Sequence, residues 1–344
     1  MGFVAHDLGV DLGTSNTLVY VKHKGIMISE PTIVVVDAGN ERRVRAVGDD
    51  AKIMLGRTTE GVMAVRPMRE GVITDFDMTE IMIQYFMRKA IGSSYLVKPR
   101  LFLSYPCSIS AIERRAVGEA AKYAGSRKVL LVEKPFAAAL GSGLPVFDPN
   151  GCMVVDIGGG TTDAAVISLG GVVISHSVRV GGVKMDEAII DFIKREFNIL
   201  IGDRTAEEVK CAIGQVAGEG EETLAVKGRC LNTGLPREVT LSGKETETAF
   251  APVAQTIVSA VQDVLERTPP ELAADVAVSG ILLTGGGSLL RGMDTLLAQE
   301  TGMATHLAED PIRAVALGLE ATLPHLAKRQ EGVLNLARRR QVEV

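Results

Sequence analysis

One short pattern constrains this chain more than anything else in it, and it occurs twice. In the stretch 153–167, an apolar run ends in Asp156, three glycines follow (Gly158, Gly159, Gly160), then Thr161, Thr162 and Asp163, then a second apolar run. The apolar runs predict two strands and the glycines a tight turn between them. Glycines let backbone N–H groups turn inward and approach an anion with no side chain in the way. The threonine hydroxyls add neutral donors. The acids suit a hydrated Mg²⁺, which keeps several of its waters when protein-bound. By itself the segment is equally compatible with an ordinary glycine hairpin.

The second copy lies near the start. An apolar run ends in Asp11, and Gly13, Thr14, Ser15, Asn16 and Thr17 precede another apolar run. Two such hairpins predict two similar half-molecules, each offering a phosphate loop to one shared cleft. A third cluster, Gly285, Gly286, Gly287 and Ser288, follows the apolar run 278–283 and precedes a helical pattern. That order suits backbone amides at a helix start facing a ligand.

These motifs resemble the phosphate-1, phosphate-2 and adenosine motifs of the actin, sugar kinase and Hsp70 superfamily. The chain is most similar to the MreB group of bacterial actins. Asp11-Leu-Gly-Thr-Ser-Asn-Thr17, the run 66–77, the segment from Asp156 to Asp163 and the run 202–210 carry the resemblance, which extends over nearly the whole chain. It implies an α/β, actin-like ATPase fold. Two similar domains with duplicated ribonuclease H-like cores would each carry a smaller subdomain, with nucleotide in the cleft between them. The implied boundaries are 1–145, with an outer subdomain at about 31–75, and 146–310, with one at about 183–249. Helices at about 311–344 would return to the first domain.

The resemblance also implies roles. Gly13 to Asn16 and Gly158 to Thr161 would clasp the phosphates of ATP or ADP. Asp11 and Asp156 would position Mg²⁺, mostly through water. Gly285, Gly286, Gly287 and Ser288 would approach the adenosine, with Glu207 and Lys210 opposite. By spacing alone, Glu207 and Lys210 read as a surface ion pair on one helix face.

One position departs from the pattern. The residue before the proline of the first connecting helix is usually a glutamate in MreB and Hsp70, but here it is Lys134. A carboxylate can orient an attacking water; an ammonium has no acceptor and would pair with phosphate instead. Glu133 is adjacent but is expected to point elsewhere. Asp163, with Thr162 beside it, is the candidate to stand in. Slow or activator-dependent hydrolysis is therefore expected.

Composition narrows the alternatives. The chain has 344 residues, a net charge of −5 and 46% hydrophobic residues, with a mean hydropathy of +0.20. That length suits two domains. No apolar run reaches the roughly 18 residues of a membrane span, and no basic leader opens the chain. Gly2 lacks the Ser or Thr that myristoylation favours at position 6, where His6 stands. Cys107, Cys152, Cys211 and Cys230 have no metal spacing and suit reduced thiols of a cytoplasm. The acidic balance speaks against nucleic acid as a partner. No Walker or Rossmann glycine spacing is present.

A filament protein of the MreB kind is thus the leading reading. It would form a homopolymer of paired protofilaments on the cytoplasmic face of the membrane, with membrane-anchored wall-elongation proteins as partners, guiding wall synthesis and cell shape. A small-molecule kinase of the same fold and an Hsp70-like chaperone ATPase are the alternatives. The chaperone would need a substrate region beyond Val344, and the kinase an acid facing a substrate hydroxyl. Tyr95 and Leu96, flanked by Arg88, Lys89, Lys98 and Arg100, suit an apolar tip for an anionic bilayer, or the start of a buried strand. The basic tail 328–340 suits a solvated face, a filament contact or a second membrane contact. Locally, Asp77 and Glu80 predict a capped helix to Ile91, Ser110 and Glu113 a second capping box with a helix through Ala124, residues 219–250 an exposed β-rich piece, and residues 251–267 a helix ended by Pro269 and Pro270.

Overall fold

The computed structural model describes residues 6–39, 42–56, 61–92 and 97–329, with side chains through 322. Two five-stranded sheets form its centre. In the first, Asp7–Leu12, Asn16–Val21 and Gly25–Pro31 form an antiparallel meander, and Arg100–Tyr105 and then Lys128–Glu133 extend it in parallel beyond Asp7–Leu12. In the second, Cys152–Ile157, Thr162–Ser168 and Gly171–Val178 form the meander, and Ile281–Thr284 and Thr305–Leu307 the parallel extension. Order and direction are the same in both. Each meander also carries a register shift between its second and third strands, at Val19/Tyr20 and at Val166/Ile167. The duplication read from the two hairpins is therefore a duplication of whole sheets.

Burial explains the composition of these strands. Every residue of Asp7–Leu12, Cys152–Ile157 and Thr162–Ser168 is buried, because helices cover both faces of each sheet. Such strands read as continuous apolar runs rather than alternating ones. One large cluster around Phe250, Ile257 and Met185 fills the second half, and another around Phe86, Leu101 and Met82 fills the first. Each fully buried side chain of this size contributes roughly 1.5–3 kcal/mol.

Two helices cross between the halves. Lys134–Gly141 follows the first sheet, with Pro135 in its first turn, where a missing N–H costs nothing. Ala314–Arg329 comes back from the second half to pack on it and on Asp7–Leu12. They meet glycine to backbone. A Cβ at Gly318 would lie 1.7 Å from the Ala137 carbonyl oxygen, and one at Gly141 would lie 1.9 Å from that of Ala314.

Local expectations hold at some boundaries and shift at others. The Ser110 and Glu113 capping box is present at the start of Ala111–Tyr123. The helix expected from Asp77 begins earlier, as Phe76–Ile91, because Asp75 rather than Asp77 accepts from the Met78 N–H. Only part of 219–250 is strand, namely Thr223–Cys230 and Pro236–Ser242. The following helix runs Gly243–Arg267, eight residues longer than expected, because Ser242 and Glu245 form a second capping box. Pro252 lies inside this helix without ending it. Val278 belongs to the helix Pro270–Ser279 and is 91% exposed, so the apolar strand starts only at Ile281. Tyr95, Leu96 and the tail beyond Arg329 lie outside the described residues. Among the described residues no helix is long and apolar enough to cross a membrane.

The helix crossing yields a direct expectation. Gly318→Ala forces backbone apart at the crossing and lowers unfolding free energy by about 1–3 kcal/mol in urea titrations.

Candidate functional site

The two glycine hairpins face each other. Gly13 closes its turn by donating to the Asn16 carbonyl at 3.1 Å, and Gly158 does the same to Thr161 at 2.8 Å. Residue for residue the two turns then touch: a Cβ at Gly159 would lie 2.1 Å from Ser15 Oγ, and one at Gly160 would lie 2.2 Å from Thr14 Oγ1. Only glycine permits that approach, and a phosphate chain between the loops requires them to part. Thr14 also accepts a hydrogen bond from the Gly71 N–H at 3.1 Å, which joins the first hairpin to the run 66–77.

Below the hairpins lie the acids. Asp11 and Asp156 end equivalent strands and receive equivalent partners. The Ser104 hydroxyl donates to Asp11 at 2.6 Å, and the Thr284 hydroxyl donates to Asp156 at 3.0 Å. Both hydroxyls sit at or near the end of the strand parallel to the acid's own. Ser104 and Thr284 were not singled out, though a hydroxyl closing an apolar strand beside a motif acid is a readable signal. Asp163 accepts from the Cys107 N–H at 2.8 Å and from the Thr161 hydroxyl at 3.0 Å, which ties the second hairpin to the first half.

Lys134 reaches into this group. Its Nζ lies 3.1 Å from Asp11 Oδ1, with 9% of the side chain exposed. Burial opposes its charge, but Asp11, Asp156 and Asp163 outweigh burial and raise its pKa above the ordinary lysine value. Burial pushes Asp156 up to about 6; the Lys134 ammonium opposes that rise, and Asp163 and Asp11 add to it. Burial likewise raises Asp163, with the Cys107 N–H and Lys134 opposing. Glu133 lies close enough to Tyr105 for its charge to help raise the phenol, after burial, to about 12. The Thr162 hydroxyl donates to the Val180 carbonyl.

Beside the hairpins opens a cavity of about 310 Å³, lined from the first half by Ser15, Asn16, Lys52 and Arg66 and from the second by Asp186, Glu207 and Lys210. The sequence-predicted pair is thus at the cleft, but it is not one ion pair. Lys210 binds Asp186 at 2.7 Å and the Gly182 carbonyl at 3.0 Å, while Glu207 reaches across to Lys52 at 3.2 Å. Asp186 was missed, because one acid on an amphipathic helix carries no sequence signal. In the third glycine cluster, Gly285 and Gly287 pack on Ile157 and the Ser288 hydroxyl donates to the Gly285 carbonyl. Only Gly286 has open space around it, and none of the four lines the cavity. A larger open depression of about 590 Å³ beside Gln215 and Arg291 holds none of the motif residues.

The profile of the MreB/Mbl protein family matches residues 5–331. The chain belongs to the MreB/Mbl family. It is 46% identical over 323 residues to the cell shape-determining protein Mbl of Bacillus cereus, covering 94% of this chain and 97% of that one. It is 49% identical over 322 residues to the cell shape-determining protein MreB of Escherichia coli K12, covering 92% and 93%. Among solved structures it resembles MreB 5 of Spiroplasma citri bound to AMPPNP, with a TM-score of 0.91 at 32% identity over 96% of this chain and 99% of that one. The MamK double helical filament shares the fold, with a TM-score of 0.79 at 22% identity over 94% and 99%. The actin-like fold expected for a member of this family is the one observed.

Asp186 sets a pH expectation. Burial pushes its carboxyl from the ordinary 3.8 up to about 6, against the opposing Lys210 ammonium. The folded state then holds the proton more tightly than the unfolded chain does. This group's contribution to stability therefore falls as pH rises from about 4 to about 6. Asp186→Asn removes that slope, so urea midpoints at about pH 5 and about pH 7 should differ less in the variant than in the parent.

Proposed function

We propose that the chain is a nucleotide-dependent, filament-forming protein that shapes cells, with ATP and ADP as its ligands. The supporting observation is the facing pair of glycine hairpins above three buried aspartates, at the mouth of a cavity built from both halves. The Spiroplasma citri relative bound to AMPPNP, and its counterpart bound to ADP, favour the same ligand class. The MamK filament and the cell shape-determining relatives favour self-assembly as the use of that ligand.

In this reading Gly13 to Asn16 and Gly158 to Thr161 present backbone amides and hydroxyls to the phosphates. Glu207 and Lys210 border the ribose and base, with Gly286 approaching from the other side. The halves divide near residues 145 and 146 and turn about the crossing of Lys134–Gly141 with Ala314–Arg329. A ligand bridging both halves favours the form with more contacts to it. Lys52 to Glu207, and Lys184 to Glu70 at 3.5 Å, already span the cleft and would add modestly to closure.

The carboxylate donors suit a hard cation, and no three His, Cys or acidic side chains among the described residues are placed to ligate one directly. Asp11 and Asp156 would therefore hold Mg²⁺ through water, and the ion would offset phosphate charge. Hydrolysis would be weak. Lys134 offers no acceptor for an attacking water, and Asp163, already holding two donors, is the group left to orient one. Filaments would associate with the cytoplasmic face of the membrane through Tyr95 and Leu96 and meet membrane-anchored wall-elongation proteins there. Lys89, one of the flanking cations, pairs with the buried Glu30 at 2.7 Å and so braces the helix Phe76–Ile91.

Sedimentation with ATP and Mg²⁺, with phosphate release followed in the same tube, tests the assignment. Pelleting with slow release is expected; tight ATP binding without pelleting, accompanied by phosphate transfer to a small alcohol or sugar, would favour the kinase reading. Lys134→Glu should speed phosphate release by about tenfold or more, within the usual range for a positioned general base; an unchanged rate would remove that role from position 134. Changing both Tyr95 and Leu96 to Ser should abolish co-pelleting with anionic vesicles while leaving nucleotide binding intact.

A further inference from the structure

Lys134 is placed where a lysine is expensive. It is the first residue of the helix Lys134–Gly141, so its charge sits at the positive end of the helix dipole, where cations are disfavoured. It is also almost fully buried, and removing an ammonium from water costs several kcal/mol after relaxation. A lysine stem is long enough to carry its charge back to solvent, as lysines usually do. This one instead lies on Asp11, within the field of Asp156 and Asp163. Asp11 Oδ1 takes both the ammonium and the Ser104 hydroxyl. The ammonium therefore shares one carboxylate oxygen of Asp11 with a second donor, an oxygen a cation-bound water would have to compete for.

The consequence concerns charge. Phosphates arriving between the hairpins approach three aspartates, and like charges at such distances repel by several kcal/mol unless a cation intervenes. Lys134 is a cation fixed to the chain on that spot. On the nucleotide reading above, we propose that the Lys134 ammonium serves as a built-in counter-ion for the nucleotide phosphates, sharing the Mg²⁺ role, so that nucleotide binds with little dependence on a divalent cation. A divalent ion at Asp11 must compete with the ammonium and binds weakly there. The residue acts on the ligand's charge, and Asp11 and Ser104 hold it in place.

The test is equilibrium binding of a fluorescent ATP analogue to the full chain, in Mg²⁺ and in EDTA. For the parent, EDTA should weaken binding by less than about threefold, and for Lys134→Gln by about tenfold or more, each tenfold being 1.4 kcal/mol. Lys134→Arg keeps the charge and should keep the tolerance to EDTA. Mn²⁺ uptake without nucleotide, read by electron paramagnetic resonance, should be tighter in Lys134→Gln than in the parent. Equal uptake overturns the competition. A parent that loses about tenfold or more in EDTA overturns the proposal outright, and that arm stands even where the glutamine variant does not fold. A parent that binds the analogue in neither buffer overturns the nucleotide reading itself, a different result from binding that simply requires Mg²⁺.

Discussion

Three carboxylates buried in one cleft repel each other, and the rest of the site is arranged around that repulsion. Burial drives protons toward Asp156 and Asp163. Each acid is instead given a donor: Ser104, Thr284, and the Cys107 N–H with Thr161. The Lys134 ammonium then supplies a full positive charge among them. Removing a single partner from such a group leaves buried charge uncompensated, which costs more than the pair contributes when intact. The site is thus a cluster in which every buried carboxylate has a donor and the Lys134 ammonium adds a compensating charge.

That cluster lies on the boundary between two halves, and the boundary is built to stay close. Gly141 and Gly318 let two helices touch at backbone distance, and Gly159 and Gly160 let one hairpin touch the other. Around the rim the contacts change character. Lys52 with Glu207 and Lys184 with Glu70 are half-exposed ion pairs, weak individually and sensitive to salt. The contacts thus grade from a close glycine crossing at the base to weak polar pairs at the rim. The facing hairpins, which must part for a phosphate chain, lie between those two regimes.

How far the sequence could be read depended on how locally each feature is encoded. The glycine hairpins were legible because their conformation is set within a few residues. Asp11, Asp156 and Asp163 were legible because each sits at a fixed offset from those glycines. The Ser110 box was legible for the same reason, and the Ser242 box would have been, had its Glu245 been weighed above the polar composition around it. Pro252 lies well inside Gly243–Arg267, where a proline removes one helical hydrogen bond yet does not end the helix. Val278 was taken for strand because it is apolar, yet it faces solvent at a helix end. Hydrophobicity without periodicity cannot separate those cases.

The sequence by itself determined the duplicated hairpins, the acids at their bases, the glycines that free their backbones, and an anomalous lysine before a proline. All of these are fixed by residue type and short spacing. Only the tertiary structure decided their partners. It brought Lys134 onto Asp11, gave Lys210 to Asp186 rather than to Glu207, sent Glu207 across the cleft to Lys52, and turned the Thr162 hydroxyl onto the Val180 carbonyl. The physical reason is that charges act through space. A side chain's partner depends on which sheet edge or helix end arrives beside it, and that is settled by how two whole halves pack.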